Sequence, residues 1–414
     1  MKTKTGLSEV REVRPSIDVA VSGERSRQIM ISTTVPETFS AILKGQPSYL
    51  AREFRVILAT SPGEVLEQVE KDERLPIYEV PMVRGICVWR DIASVLRMIA
   101  VLRQVKPELV HSYTPKAGLV TMLAAKLCGV PVRVHTFTGL IFPTSTGFRK
   151  WLLIWIDRII CFCATKIVPE GNGVKHDLER YGITKKPLSV IGYGNVAGVD
   201  TQAFSPENFE VRQAARNLRL ELSIDEAEFV FCFVGRLNRD KGITELVEAF
   251  STLKGRVHLI LVGSVDSTAP VDDVTLQAIE AHARIHCLGF VHDVRPALLA
   301  SDVLVLPSYR EGFPNVVLQA GAMGVPVIAT DVNGSNEIIE NGFNGWLIPP
   351  RNAAALGLAM QQALDMPPTE RRDMGQRGRG RVVQRFERRE HWARMAEFYD
   401  ELLHRSPAHT AAKR

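Results

Sequence analysis

Two short stretches of this 414-residue chain carry residue types whose spacing suits chemistry on a phosphorylated, hydroxyl-rich ligand. The first is Gly235-Arg236-Leu-Asn-Arg-Asp-Lys241-Gly242, set between a predicted strand and a predicted helix. Glycine lets a backbone turn and come close to a ligand. The free N–H groups of a helix start favour an anion, and Arg236 and Lys241 add two positive charges at the same mouth. Such a turn makes a diphosphate clamp, because arginine can grip two oxygens at once and lysine acts as a point charge. A solvated basic turn is the plain alternative, and the Gly-x-x-x-x-Gly-Lys-Ser/Thr of a P-loop is not there. The second stretch is Glu311-Gly312-Phe313-Pro-Asn315-Val316-Val-Leu-Gln319, again after a strand and opening a helix. Gly312, Phe313, Asn315 and Val316 fall at or near the helix start, where amides point outward. Asn315 and Gln319 stand four apart and share a helix side. A carboxylate and an amide on one rim suit a sugar and a ribose; a capped helix with a surface glutamate is the alternative.

Other candidates are sparser. His111, a candidate catalytic residue, closes a predicted strand and is followed by Tyr113, Thr114, Pro115 and Lys116, while His135 and Thr136-Phe-Thr138-Gly139 follow the next strand and are expected to face the same cleft, with Tyr113, His135 and Thr138 on its acceptor side. A lone histidine at a strand end also serves as a structural residue. Neither paired carboxylates for hydrolysis nor an Asp-x-Asp metal–nucleotide motif is present, so no metal and no cofactor are expected. Basic groups and helix dipoles can hold a leaving diphosphate unaided.

These groups need a frame. The chain is 45% hydrophobic and 23% charged, the composition of a folded soluble protein rather than a disordered or fibrous one, and its length suggests two large domains. Lys plus Arg number 51 and Asp plus Glu 46, a net of +5 (51 − 46) with a pI near 8.9. That suits an acidic ligand or an anionic membrane surface but is too weak and diffuse for nucleic-acid binding. The six cysteines (87, 128, 161, 163, 232 and 287) form no Cys-x-x-Cys pair and read as small buried hydrophobes in a reducing compartment. The first 27 residues are polar, without an apolar signal core. The longest apolar stretch, 151–160, is interrupted by Asp157 and Arg158 and is far short of the ~20 residues a spanning helix needs. A cytoplasmic protein is expected, one that touches a membrane without crossing it. Residues 148–160 mix basic residues with two tryptophans and read either as a membrane-contact helix or as a core helix.

Strands predicted at 28–32, 54–60, 108–111, 132–137, 166–168 and 188–191 alternate with helical stretches, among them 92–104 and 119–128. The rhythm restarts with strands at 229–235, 257–263, 285–290, 302–307 and 326–330, a helix at 243–253 and a last helix at 392–403. Strand–helix–strand repetition predicts parallel sheets covered by helices. The expected architecture is α/β, with two facing Rossmann-like doubly wound sheets and a deep cleft between their carboxyl ends, where such sheets bind ligands. The divisions are a tail at 1–27, a first domain at 28–192, a hinge at 193–200, a second domain at 201–384, a helix at 385–406 packing back on the first domain, and a tail at 407–414.

Gly235-Arg-x(4)-Lys-Gly, Leu288-Gly-Phe-Val, Pro307-Ser-x-x-Glu-Gly-Phe-Pro-Asn, Gly324-x-Pro-Val-Ile-Ala-Thr and Glu337-x(4)-Gly-x-Asn-Gly-Trp-Leu together resemble the retaining glycosyltransferases of family four, which have the two-Rossmann GT-B fold. The likeness is strong over about 199–350 and continues through Val110-His-Ser-Tyr-Thr-Pro-Lys-Ala-Gly118, in the manner of the branch that builds bacterial capsular and surface polysaccharides. The resemblance implies that Arg236 and Lys241 hold the donor diphosphate, that Glu311 contacts the transferred sugar, and that the loop from Phe290 and Val291 to Asp293 reads the base. The family's second glutamate, on the ribose, is here Gln319, which can still donate and accept a hydrogen bond. Relatives carry histidines where Tyr113 and Thr138 stand, and a glycine-rich loop where this chain has Thr33-Thr-Val-Pro-Glu-Thr-Phe-Ser, so acceptor recognition does not transfer. The expected function is retaining, metal-independent transfer, by front-face departure and attack, from a nucleotide-diphosphate sugar, UDP-linked above all, to a lipid-linked glycan at the inner membrane face. The alternatives are a nucleotide-sugar epimerase on the same fold and a non-catalytic nucleotide-sugar-binding subunit. The sugar, acceptor, linkage and oligomeric state are not legible.

Overall fold

The structure, a computed structural model, describes residues 12–13, 27–83, 85, 87–266 and 269–405. Most of the polar leader and the 407–414 tail lie outside the described residues. The chain forms two compact units: unit 1 comprises residues 1–170, 174–197 and 390–414, and unit 2 comprises 171–173 and 198–389.

Unit 1 holds β1 (Glu12–Val13), β2 (Gln28–Ser32), β3 (Arg55–Thr60), β4 (Ile77–Glu79), β5 (Leu109–Tyr113), β6 (Val132–Phe137) and β7 (Lys166–Pro169), ordered β1-β4-β3-β2-β5-β6-β7. Every pair is parallel except β1 with β4. Alternate strand residues face opposite sides, which gives the unit two cores. Met30, Ile57 and Val110 pack with Val101, Ala117 and Ile160 from the helices Val88–Val105, Pro115–Leu127 and Gly147–Cys163. Ile29, Ile31 and Leu109 pack instead with Phe39, Leu50 and, from the last helix Arg388–His404, Met395 and Tyr399.

Unit 2 holds β8 (Phe229–Val234), β9 (Val257–Val262), β10 (Ile285–Gly289), β11 (Val303–Leu306), β12 (Val327–Thr330) and β13 (Gly345–Ile348) in the order β10-β9-β8-β11-β12-β13, all parallel. β8 and β11 are apolar throughout and β9 is apolar except for buried His258; all three are covered on both faces, as central parallel strands must be. Helices Ile243–Thr252, Asn315–Ala322 and Ala353–Asp365 complete a large core around Phe231, Leu304 and Leu318, and a smaller core gathers Val230, Cys232 and Ile260 with Ile224 and Ala297.

Several expectations need correction. Residues 188–191 make no strand; Leu188 forms one isolated bridge to Ile167. The helix expected from Leu119 starts at Pro115, because proline's fixed φ suits a first helical turn that needs no N–H. β4 and β13, three and four residues long, had no recognisable pattern. Of the cysteines, Cys161, Cys163 and Cys232 are buried, but Cys87 and Cys287 are exposed.

Candidate active site

In unit 2 the strand order reverses between β8 and β11, and loops that leave a parallel sheet on either side of such a point form its ligand crevice. Two glycines bring those loops into contact. Gly242 (φ +70) ends the loop after β8, and a Cβ there would lie 2.2 Å from the Pro307 carbonyl oxygen after β11. Gly263, after β9, would put its Cβ 1.9 Å from the Gly235 carbonyl. Only glycine permits either approach.

Asn238 shapes the first loop. Its side-chain oxygen accepts from the Lys241 N–H (3.1 Å), capping the short turn Arg239–Lys241. Arg236 is largely exposed and donates to Asp266 at 2.5 Å; Asn238 Nδ2 donates to the same carboxylate at 3.1 Å. Lys241 Nζ lies 2.5 Å from Glu311 Oε1, with both side chains mostly covered. The loops are stitched further by Arg310–Asp240 (3.0 Å), by the Tyr309 N–H to the Asp240 carbonyl (2.8 Å), and by the Tyr309 hydroxyl to Glu245 (2.6 Å). Burial and the Glu245 carboxylate push the Tyr309 phenol well up, so it stays a donor. Arg351 stacks over the Tyr309 ring at 4.7 Å.

Asn315 and Gln319 are half-buried on the helix Asn315–Ala322, as is Val316; Gly312 precedes them and is half-buried. Phe313 contributes only its backbone to the rim, because its ring is buried 5.6 Å from Phe386. Gly334 holds this turn in place: its Cβ would meet the Gly312 carbonyl at 2.4 Å. At the end of β10, Phe290 is two-thirds exposed and stands edge-on to His292 (5.1 Å), Val291 is half-buried, and the loop is closed by a paired Asp293–Arg295 contact (2.8 and 2.7 Å). Arg236, Lys241, Glu311 and Gly235 thus converge on one loop pair, with Gln319 one turn down the adjoining helix. Asp266, Glu245, Tyr309 and Arg351 belong to the same cluster and carry no motif of their own. Only the adjacency of β9 to β8 would have pointed to Asp266.

Unit 1 corrects the histidine expectations. His111 is fully buried; Nδ1 contacts the Tyr399 hydroxyl at 2.6 Å and Nε2 the Thr136 hydroxyl at 2.7 Å. Both nitrogens are taken, and burial with the neighbouring His135 drives its pKa well below the usual histidine range. Tyr113 is buried and stacked on His111 at 4.3 Å. His135 is buried beneath Gly118, with Nδ1 on the Ser112 hydroxyl at 2.9 Å and its pKa pushed down to about 3 by burial. These three are core side chains, and the catalytic role expected of His111 and the acceptor contacts expected of Tyr113 and His135 do not fit their places. Thr138 is half-buried. What stands at the carboxyl ends of the adjacent strands β2 and β5 is a threonine pair that sequence reasoning missed. The Thr34 and Thr114 hydroxyls are 2.6 Å apart, and Thr34 Oγ1 accepts from the Ala117 N–H at 3.1 Å. Thr114 has φ +71, a strained conformation for a β-branched residue. Lys116 beside it pairs with Asp91 at 2.7 Å.

A family model described as "Glycosyl transferases group 1" matches residues 215–381, and one described as "Glycosyl transferase 4-like domain" matches 47–194. The chain is 28% identical over 383 residues to the capsular polysaccharide biosynthesis glycosyltransferase CapM of Staphylococcus aureus, covering 91% of this chain and 97% of that protein. It is 29% identical over 285 residues to the UDP-Gal:alpha-D-GlcNAc-diphosphoundecaprenol alpha-1,3-galactosyltransferase of Escherichia coli, covering 67% and 72%. The crystal structure of Anabaena HepE in complex with UDP-glucose matches with a TM-score of 0.76 at 18% identity, over 90% of this chain and 99% of that one. With the two parallel sheets and the glycine-turn cluster, these likenesses establish that the chain belongs to the group 1 glycosyltransferases, the retaining family four of the GT-B fold.

Proposed function

We propose that this glycosyltransferase takes a hexose or N-acetylhexosamine from a UDP-sugar and adds it to a lipid-linked glycan of a bacterial surface polysaccharide, without a metal. The observation that carries the reading is the joining of Arg236, Lys241 and Glu311 on two loops at the switch point of unit 2. In this reading the Arg236 guanidinium and the Lys241 ammonium take the donor's two phosphates, with the Gly312 and Phe313 amides beside them. That places positive charge where the departing diphosphate gains negative charge. Glu311 accepts hydroxyls of the transferred sugar and Gln319 those of the ribose. The Phe290 loop borders the base. The acceptor class follows from the E. coli relative, whose name specifies a diphosphoundecaprenol acceptor. At unit 1, the Thr34–Thr114 pair and Thr138 are the polar groups offered to an acceptor hydroxyl.

The test is incubation with a panel of UDP- and GDP-sugars, with and without a bacterial membrane lipid extract. Nucleotide release that requires both a UDP-sugar and the extract, unchanged by EDTA, is the expected result. An isomerised donor without acceptor, binding without turnover, or activity lost in EDTA and restored by manganese would each overturn part of the reading.

A further inference from the structure

Eleven of the twenty exposed large apolar side chains among the described residues fall within 83–162, all in unit 1. Five of them, Phe148, Trp151, Trp155, Ile159 and Phe162, form one line along the helix Gly147–Cys163, at steps of three and four residues. That spacing keeps them on one side of the helix, away from buried Asp157, Ile160 and Cys161. The rings of Phe148, Trp151 and Trp155 succeed one another at 5.5 and 5.8 Å. The helix Pro115–Leu127 packs against this helix and also against Val88–Val105, whose Val88, Trp89, Ile92 and Leu96 are exposed. Such a concentration of bare aromatic surface marks an interaction face.

Its charge identifies the occupant. Residues 81–163 hold eleven Lys and Arg against three Asp and Glu, a net of +8, while the whole chain is +5. On the helix Gly147–Cys163 the only acid, Asp157, is buried, whereas Arg149 is exposed and Arg158 lies 5.7 Å over the Trp155 ring. Lys126, at the end of the neighbouring helix, reaches over Phe162 at 3.2 Å. Tryptophan and phenylalanine flanked by arginine and lysine match the boundary between lipid headgroups and acyl chains, where an apolar ring and a cation are both satisfied. A second copy of the same face would set its exposed cations against each other, which disfavours a dimer. Among the described residues no helix is long and apolar enough to cross a membrane, so the mode is docking.

We propose that this face of unit 1 docks onto an anionic lipid bilayer, seating the Phe148–Phe162 line at headgroup depth with the surrounding arginines and lysines on lipid phosphates. The proposal deepens the lipid-linked reading above and rests on it for its purpose. The test uses vesicles with no glycan acceptor, so either can fail without the other.

The full-length protein is sedimented with vesicles of pure phosphatidylcholine and with vesicles that are about one third phosphatidylglycerol. Binding is expected to the second and not the first, and to fall as salt rises. Trp151→Ser with Trp155→Ser should weaken it by about tenfold or more. Arg149→Glu should weaken it and flatten the salt dependence. Trp89→Ser, on a different helix, reports the same face should either change in the long helix perturb folding, which the far-UV spectrum and melting temperature check. No preference for anionic vesicles, or binding indifferent to all these substitutions, overturns the proposal. So does a concentration-dependent dimer in ultracentrifugation without lipid that the tryptophan substitutions abolish, because the face would then belong to a second copy.

Discussion

Lys241 Nζ lies 2.5 Å from the Glu311 carboxylate, so the cation proposed for a diphosphate is held by the carboxylate proposed for a sugar. The same arrangement recurs at Arg236, which Asp266 holds at 2.5 Å. Each cation is thereby placed by a carboxylate from another loop, and under the proposed function each would be shared or released on binding phosphate.

The two members of the first pair should respond oppositely to UDP alone. Lys241→Ala removes a charge-assisted contact, worth about 1.5–3 kcal/mol, so the UDP dissociation constant in calorimetry should rise at least tenfold. Glu311→Gln removes the competitor for that cation and should leave UDP affinity unchanged or tighter by about 1 kcal/mol. Sugar transfer by Glu311→Gln should still fall by about a hundredfold or more. Equal weakening of UDP binding by both changes would contradict the assignment.

Gly242 tests whether the loops must touch. Gly242→Ala places a Cβ against the Pro307 carbonyl and forces alanine to φ +70. Gly255 also has positive φ (+102) but has open space around it, so Gly255→Ala isolates the backbone cost, about 1–3 kcal/mol. Gly242→Ala should lower the melting temperature more than Gly255→Ala and should lose UDP affinity, which Gly255→Ala keeps. Matching effects of the two would show that the contact at Pro307 is not needed.

Gln319 stands half-buried one turn below the rim. Glutamate there would accept a ribose hydroxyl through a charge-assisted bond, stronger than the amide's by about 1 kcal/mol. Gln319→Glu should therefore tighten UDP more than 2′-deoxy-UDP. An unchanged ratio between the two nucleotides would remove Gln319 from the ribose.

The cluster at the switch point of unit 2 was legible because its residues are neighbours in sequence: one glycine turn and one helix start carry Arg236, Lys241, Glu311 and Gln319. Strands β8 and β11 were equally plain, since burial on both faces leaves an unbroken hydrophobic run, which β9 breaks only at His258. What escaped depends on strand order. Asp266 meets Arg236 only because β9 lies beside β8, and Thr34 meets Thr114 only because β2 lies beside β5. His111 and His135 misled for a related reason. A histidine at a strand end faces a crevice or a core according to which side chains cover it, and Tyr399, which covers His111, is 288 residues away.

Those buried histidines set the protein's response to acid. His111, His135 and His391 are all buried; the pKa of His111 lies well below 6.5, that of His135 is about 3 and that of His391 about 4. The unfolded chain binds these three protons near pH 6.5, whereas the folded chain does not until far lower. Their contribution is therefore complete above the unfolded pKa and is lost as pH falls towards the folded values. Asp157 runs the other way, because burial raises its pKa to about 7. The folded state takes up that proton before the unfolded state does, and stability gains between about 7 and the ordinary 3.8. For these four groups the balance is two more protons on the unfolded chain, a loss of about 3 kcal/mol per pH unit once all three histidines titrate, and His258 and His286, whose pKa values burial also lowers, add to it. The melting temperature should drop steeply below about pH 6, in the ordinary titration range of histidine. In Asp157→Asn the drop should be steeper, from a higher value at pH 8, because the opposing acid is gone. A melting temperature flat from pH 7 to 5, or an unchanged slope in Asp157→Asn, would show that these groups are not held uncharged in the fold.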